Sequence, residues 1–202
     1  MLKRVFDIFF TLVFLLLLMP VFWVIALAVV FDSKGPIFYR GMRSGLNGAP
    51  FKIFKFRTMV INAEQVGGGT TALRDPRITK VGGFLRRYKL DELPQVFNVL
   101  KGDMSLVGPR PELPQYTEQY NDKEKKILSV KPGITDYSSI KFSSLDERVG
   151  AVNADRVYEE EIYPIKNQLR LQYVQEQSFL TDMKILFRTI AVIIKKAARN
   201  RG

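Results

Sequence analysis

Two adjacent acids, Asp91 and Glu92, begin the segment DELPQVFNVLKGDMSLVGPRPE in a chain that contains neither histidine nor cysteine. Chemistry therefore has to use carboxylates, lysine, tyrosine, hydroxyls or an oxygen-bound metal such as magnesium. Neighbouring helical positions point about 100° apart, so the two acids can face one site in different roles. One can attack a phosphate to form an acyl phosphate while the other binds magnesium.

A simpler interpretation of the same pair is the start of a helix. The pattern predicts a helix over residues 92–100 that stops at Gly102. Asp91 would then cap the free N–H groups, and Pro94 fits the first turn. From these residues alone, the capping role and the catalytic role both stay open.

Basic side chains flank the acidic pair and are suited to bind a diphosphate. Lys55 and Arg57 lie on a predicted strand, Arg86 precedes the acids and Arg110 follows them. Prolines on both sides of Arg110 restrict its backbone, which lowers the entropy lost when the guanidinium binds a phosphate or carboxylate. Each base alone also has an ordinary alternative, since single basic residues are usually solvated or paired with an acid.

The charge balance implies an anionic partner. The chain has 202 residues, enough for one domain with a small appendage, and carries 31 Lys and Arg against 20 Asp and Glu. A formal charge of +11 fits nucleic acid, phospholipid headgroups or a phosphorylated substrate. Charge alone does not choose among these partners.

Residues 8–31 form an apolar run of 24 residues without a charge. As a helix it would be about 36 Å long, enough to cross a hydrocarbon core of about 30 Å. Pro20 lies near its middle and predicts a kink or break. Positive charge marks the cytoplasmic side of a membrane. Basic residues flank both ends of the run: Lys3, Arg4, Lys34, Arg40 and Arg43.

Two topologies are compatible with this run. In the first, a re-entrant membrane helix enters the bilayer, turns at Met19 and Pro20 and leaves by the same face. In the second, the helix is a single kinked span, since proline is tolerated in spanning helices. The run is too long for a cleaved signal peptide and lacks a small-residue cleavage site.

The C-terminal segment is amphipathic and basic. Such a helix can lie flat on an anionic bilayer, where each base contributes on the order of 1 kcal/mol, or it can pack on the domain core. Its apolar residues recur at helical spacing and are followed by bases. They are Phe179, Met183, Leu186, Phe187, Ile190, Ile193 and Ile194, then Lys195, Lys196, Arg199 and Arg201.

The remaining chain reads as a small helix-rich domain. Aromatic and β-branched runs at residues 35–40 and 51–59 predict a β-hairpin, and the glycine-rich residues 62–83 predict a long irregular loop. Helices are predicted at residues 84–88, 114–128, 155–163 and 165–175. Few strands and many helices indicate an α+β fold, with a membrane helix in residues 1–34 and a domain in residues 35–202.

Taken in order, the motifs resemble those of the bacterial sugar transferase family, the monotopic phosphoglycosyl transferases, in a minimal form. They are KRVFDIFF, a proline in the apolar run, GPIFYRGMRSGLNGAPFKIFKFRTM, DPRITKVGGFLRR, LDELPQVFNVLKGDMSLVGPRPE and KPGIT. The resemblance extends from Lys3 to about Lys196. It implies transfer of a phosphosugar from a UDP-sugar to polyprenol (undecaprenyl) phosphate, with release of UMP, as the first membrane step of surface-glycan assembly.

The resemblance also implies roles for individual residues. Asp91 would form the covalent phosphosugar intermediate, and Glu92 would bind Mg²⁺ together with the diphosphate. A helix broken at Met19 and Pro20 would keep the catalytic domain on the cytoplasmic face of the bacterial inner membrane, among its phospholipids. Neither a nucleic-acid partner nor a particular oligomeric state is implied, and a homo-oligomer stays open. The bases at matching phosphate or nucleotide positions are Lys55, Arg57, Arg86 and Arg110.

Two positions depart from the family pattern. Most members carry serine before the membrane proline, where its hydroxyl can satisfy a freed backbone carbonyl, whereas this chain has Met19. The break must then be stabilised differently or be shallower. After KPGIT, Asp136 and Tyr137 stand where many members have Gly-Trp, which leaves open the residues that recognise the nucleotide or sugar.

A competing interpretation is a non-catalytic, membrane-tethered basic protein that binds anionic lipid or nucleic acid. Its binding would depend on salt and on many bases at once. A binder of that kind needs patches of charge but has no need for adjacent acids beside a proline-flanked arginine.

Overall fold

A computed structural model describes residues 2–63, 75–143 and 154–199. Its helices are α1 (Leu2–Asp32), α2 (Lys80–Arg87), α3 (Gln95–Lys101), α4 (Pro114–Thr117), α5 (Tyr137–Lys141), α6 (Ala154–Val157), α7 (Tyr163–Glu176) and α8 (Phe179–Arg199). Its strands are β1 (Phe38–Tyr39), β2 (Met42–Ser44), β3 (Pro50–Lys52), β4 (Lys55–Phe56), β5 (Ser105–Val107) and β6 (Gly133–Thr135). Short 3₁₀ turns occupy Leu46–Gly48, Leu90–Glu92 and Glu124–Ser129, and Tyr158–Ile162 is π-helical. The α+β class is confirmed. Residues 64–74 of the loop predicted over residues 62–83 lie outside the described residues, whereas residues 80–83 belong to α2.

Helix α1 is continuous from Leu2 to Asp32 and includes Pro20. Helical structure therefore passes through Met19 and Pro20 without the predicted interruption, and the re-entrant path stays a prediction. The helix is long and apolar enough to cross a membrane by length and composition. Most of its central side chains are exposed, as expected for a surface that faces lipid rather than water.

The N-terminal end of α1 is fixed to the domain by polar side chains. Arg4 donates to the backbone carbonyls of Val99 and Leu100 at the end of α3. Asp7 is buried and accepts hydrogen bonds from the Ser105 hydroxyl at 2.7 Å and the Leu106 N–H at 3.2 Å. Arg4 and Asp7 thus dock the N-terminal end of an otherwise apolar helix on α3 and β5.

The C-terminal half of α1 docks through apolar packing. Phe22, Ile25 and Val29 are buried against the largest hydrophobic cluster, which also contains Phe56, Leu85 and Val96 from β4, α2 and α3. Burial of such side chains contributes roughly 1.5–3 kcal/mol each. Both ends of the membrane helix therefore contact the same small domain.

The predicted β-hairpin is present, although a break divides it into two short antiparallel ladders. β1 pairs with β4, and β2 pairs with β3. The amide of Asn98, on α3, fills the break. Its oxygen accepts from the Phe54 N–H at 2.8 Å and its nitrogen donates to the Lys52 carbonyl at 3.0 Å. The hairpin is thereby fastened to the helix that follows the acidic pair.

The helix predicted over residues 92–100 begins later than expected. Asp91 and Glu92 belong to the 3₁₀ turn Leu90–Glu92, and α3 starts after Pro94, which has no side-chain cap. The prediction that Asp91 caps this helix is wrong, because its carboxylate lies a turn before the first free N–H groups. Gly102 ends α3 with φ of 91°, as the sequence predicted.

A parallel strand pair was not predicted from the sequence. β5 and β6 pair in register Ser105↔Gly133 and Val107↔Thr135. A Cβ added to Gly133 would lie 2.0 Å from the backbone nitrogen of Gly108, so the two backbones can approach only as glycines. The contact fixes the start of the loop that carries Arg110.

Helix α8 packs on the domain, which was one of the two alternatives considered for the C-terminal segment, and its contact with a bilayer stays a prediction. One side packs on the domain, where Ile185 is fully buried and the Thr189 hydroxyl lies 2.7 Å from that of Thr135. Another side is apolar and exposed. Its members are Phe179, Leu180, Phe187, Ile190, Ile193 and Ile194.

Two neighbouring glycines, Gly82 and Gly83, provide a matched test of how closely α2 packs against Thr58. A Cβ at Gly82 would lie 2.1 Å from the Thr58 carbonyl oxygen, whereas a Cβ at Gly83 would have only the Ile78 methyl group nearby, at 3.9 Å. We expect Gly82→Ala to lower the free energy of unfolding by about 1–3 kcal/mol and Gly83→Ala to raise it by up to about 1 kcal/mol. Denaturant unfolding in detergent measures both free energies, and equal effects of the two substitutions would contradict the close approach of Gly82 to the Thr58 backbone.

Candidate active site

Asp91 is almost completely buried in the 3₁₀ turn that joins α2 to α3. Its side chain is 6% exposed, and Oδ1 has no hydrogen-bond partner among the described residues. Burial raises the pKa of Asp91, and the neighbouring Glu92 carboxylate raises it further. Lys55, Lys89 and Arg86 oppose that shift. An unpaired buried carboxylate is costly for folding, and this is a common property of a reacting group.

Glu92 has the opposite environment. Its Oε1 accepts a hydrogen bond from the Lys55 ammonium at 3.0 Å and another from the Arg110 guanidinium. Burial alone would raise the pKa of Glu92, but these two cations outweigh it and hold that pKa well below its ordinary value. The structure thus brings together Lys55, Asp91, Glu92 and Arg110, four of the six predicted site residues.

Arg110 lies on the loop that follows β5 and is held by hydrogen bonds from both its backbone and its side chain. Its N–H donates to the Asp136 carboxylate at 3.2 Å, and its Nη1 donates to the Ile134 carbonyl at 3.2 Å. Asp136 is fully buried and also caps α5 by accepting from the Ser139 N–H. The position where the chain departs from the family pattern therefore supports the Arg110 loop.

Arg86 and Lys89 lie close enough to Asp91 to lower its pKa. Arg86 is in the last turn of α2, as the sequence order predicted. Lys89 was not predicted from the sequence as a site residue. It lies between α2 and the acidic turn, and its φ of 59° places its backbone in the left-handed region. Its position two residues before Asp91 was the available signal, since it is the third base in the short stretch that also contains Arg86 and Arg87.

Arg57 is not brought to this cluster. It is buried, and its guanidinium donates to the carbonyls of Val29, Ser33 and Lys34 at the end of α1. These contacts satisfy carbonyls that a helix C-terminus leaves free and complement its dipole. A phosphate contact from Arg57 would require these bonds to break, so the structure places Arg57 as a helix cap.

A second charged cluster lies behind the Arg110 loop and was not predicted. The Glu112 carboxylate accepts hydrogen bonds from Arg170 of α7 and from the Tyr158 hydroxyl, the latter at 2.6 Å. Arg170 is completely buried. Burial alone would raise the pKa of Glu112, but Arg170 and the nearby Lys166 ammonium outweigh it and lower that pKa to about 2. Arg170 is 58 positions away in sequence, so no local pattern could have identified the pair.

The donor set at Asp91 and Glu92 fits magnesium bound together with phosphate oxygens. Mg²⁺ in nucleotide sites is commonly held by one or two carboxylates plus substrate phosphates. Asp91 Oδ1 is unpartnered, and Oε2 of Glu92 takes no hydrogen bond within the described part of the chain. No group of three or more acidic residues forms a candidate metal site within residues 2–63, 75–143 and 154–199.

This arrangement can be compared with known proteins. A family model for bacterial sugar transferases matches residues 1–196. The chain belongs to the bacterial sugar transferase family. The match covers both the membrane helix and the acidic pair, as the sequence motifs indicated.

Curated relatives agree with this family. The UDP-glucose:undecaprenyl-phosphate glucose-1-phosphate transferase of Escherichia coli (strain K12) is 40% identical over 198 residues, which are 94% of this chain and 39% of that protein. An uncharacterised sugar transferase, EpsL, of Bacillus subtilis (strain 168) is 38% identical over 194 residues, 96% of this chain and 87% of EpsL. The undecaprenyl-phosphate galactose phosphotransferase of Salmonella typhimurium (strain LT2) is 36% identical over 210 residues, 96% of this chain and 41% of that protein.

The cluster behind the Arg110 loop gives a pH-dependent prediction. The pKa of Glu112 falls from 4.5 to about 2 on folding, so its ion pair stabilises the protein above pH 4.5 and loses this effect as pH drops toward 2. We expect Glu112→Gln to remove roughly 3 kcal/mol of stability at pH 6 and much less at pH 3. Denaturant unfolding at both pH values measures the difference.

The matched control is Glu160→Gln, which breaks an exposed pair with Arg156. That change should lower the free energy of unfolding by less than about 1 kcal/mol. A Glu112→Gln effect of the same size at pH 3 and pH 6 would show that its ion pair does not produce the pH dependence.

Proposed function

We propose that the protein transfers a phosphosugar from a UDP-sugar to polyprenol phosphate and releases UMP. The observation that carries this proposal is the division of the acidic pair. Asp91 is buried with a free oxygen, while Glu92 is held by two cations. The relatives named for undecaprenyl-phosphate sugar transfer support the same acceptor.

In the first step, an Asp91 carboxylate oxygen attacks the β-phosphorus of the UDP-sugar. The bond from that phosphorus to the oxygen shared with the α-phosphate breaks, and UMP leaves with this oxygen and the electron pair. Lys55 and Arg110 stand where they can move from Glu92 to the phosphate oxygens, which carry more charge as UMP leaves. The sugar phosphate is then bound covalently to Asp91.

In the second step, a phosphate oxygen of the polyprenol phosphate attacks the same phosphorus. The bond between phosphorus and the Asp91 oxygen breaks, which restores the carboxylate and yields a polyprenyl diphosphosugar. Glu92 would hold Mg²⁺, which would neutralise charge on the diphosphate when bound. Lys55, Arg110 and Mg²⁺ would thus serve both half-reactions.

Removal of the nucleophile should abolish both half-reactions. We expect Asp91→Asn to lower UMP release by at least about 10³-fold while the protein stays folded, because the amide has a similar shape but cannot form the acyl phosphate. A UDP-sugar labelled in the sugar, added without acceptor, should label the unsubstituted protein and not the variant. Turnover retained by Asp91→Asn would exclude Asp91 as the nucleophile.

We further propose that α1 is re-entrant, so that the domain lies on the cytoplasmic face of the inner membrane. Its N-terminal end is tied to β5 through Asp7, and its C-terminal end is tied to Arg57, which directly follows β4. A 31-residue helix that crossed a bilayer of about 30 Å would separate these two contacts. The exposed apolar sides of α1 and α8 are suited to lipid.

The topology can be tested because the chain contains no cysteine. Single-cysteine variants Leu2→Cys and Lys123→Cys report the start of α1 and an exposed site of the domain. With a membrane-impermeant maleimide on intact spheroplasts, we expect neither to be labelled before lysis and both to be labelled after it. Labelling of residue 2 alone before lysis would show that α1 spans the membrane.

A further inference from the structure

Backbone hydrogen bonds hold one side of the loop that carries Arg110. The Gly133 N–H donates to the Pro109 carbonyl at 3.0 Å, and the Ser44 N–H donates to the Glu112 carbonyl at 3.0 Å. The Arg110 N–H donates to Asp136 at 3.2 Å. These bonds join the loop to β6, to β2 and to the cap of α5. They orient the peptide units but leave the loop side chains to be fixed by other contacts.

The Glu112 carboxylate is the side-chain anchor of the same loop. Only Pro111 separates Glu112 from Arg110, and the proline ring fixes the φ angle of that residue. This short and restricted connection couples the position of Glu112 to that of the Arg110 peptide. The two ion pairs, Arg110 with Glu92 and Glu112 with Arg170, lie at opposite ends of this three-residue segment.

Arg170 has contacts that suit an anchor. It is completely buried, its Nη2 donates to Glu112, and its Nη1 donates to the Asn167 amide oxygen at 2.8 Å. Asn167 in turn donates to Glu124 at 2.9 Å. Burying a guanidinium this deeply is stabilising only if its partner stays in place, since an unpaired buried charge is strongly unfavourable. The pair therefore resists displacement of the loop more than an exposed pair would.

We propose that the Glu112–Arg170 ion pair is a positioning device that holds the Arg110 guanidinium against the diphosphate of the substrate. This inference rests on the proposed sugar-phosphate transfer. Arg170 acts only through Glu112 and the loop, so it is a positioning residue rather than a catalytic one. Its effect on substrate must be lost when Arg110 is absent, which a general effect on folding would not produce.

The test compares Arg110→Ala, Arg170→Lys and the double variant in the full chain in detergent. Lysine keeps the charge of Arg170 but replaces the planar guanidinium, whose two Nη atoms donate to Glu112 and Asn167, with a single ammonium nitrogen. We expect Arg170→Lys to lower kcat/KM for UMP release by 10- to 100-fold, and the double variant to match Arg110→Ala within about twofold. Effects that multiply in the double variant would overturn the proposal.

Calorimetric titration with UDP separates this inference from the proposed function. Arg170→Lys should weaken UDP binding when Arg110 is present and leave it unchanged in Arg110→Ala. That coupling in a protein that releases no UMP from any UDP-sugar would contradict the transfer reaction but support the positioning role. UDP binding that Arg170→Lys does not change would overturn the positioning role.

Two further variants control for folding. Glu112→Gln breaks the same ion pair from the loop side while keeping the shape of the side chain, and it replaces Arg170→Lys if that variant is not folded. Arg156→Lys, in an exposed pair with Glu160, should leave UDP binding and kcat/KM unchanged within twofold. The same loss in Arg156→Lys as in Arg170→Lys would overturn the proposal.

Discussion

A single carboxylate oxygen, Oε1 of Glu92, joins three separate parts of the chain. It accepts from Lys55 on the hairpin and from Arg110 on the loop after β5, while Glu92 itself belongs to the turn before α3. If this oxygen were removed, the two cations would face each other unpaired in a largely buried site. The site therefore exists as a unit because one acid is paired with two bases from distant parts of the chain.

The same arrangement explains why two adjacent acids have different properties. Asp91 and Glu92 differ by one position in sequence, but the cations contact only Glu92 directly. Burial then raises the pKa of Asp91, while the cations lower that of Glu92. Titratable neighbours whose pKa values are driven apart are typical of residues with separate catalytic roles.

The local sequence pattern predicted which helices and strands form better than it predicted where they begin and end. The hairpin and the stop at Gly102 depend on nearby residues, and both are confirmed. The role of Arg57 at the end of α1 and the burial of Arg170 against Glu112 depend on partners far along the chain. Three-residue strands such as β5 and β6 are too short for an alternating pattern.

Lys55 lies on β4 and Arg57 follows the end of that strand directly, and each is tied to a different environment. Lys55 contacts the acidic turn, whereas Arg57 donates to the last carbonyls of α1. Because an apolar helix in a bilayer changes its tilt with the thickness of that bilayer, α1, Arg57 and Lys55 form a path along which such a tilt would reach the acidic turn.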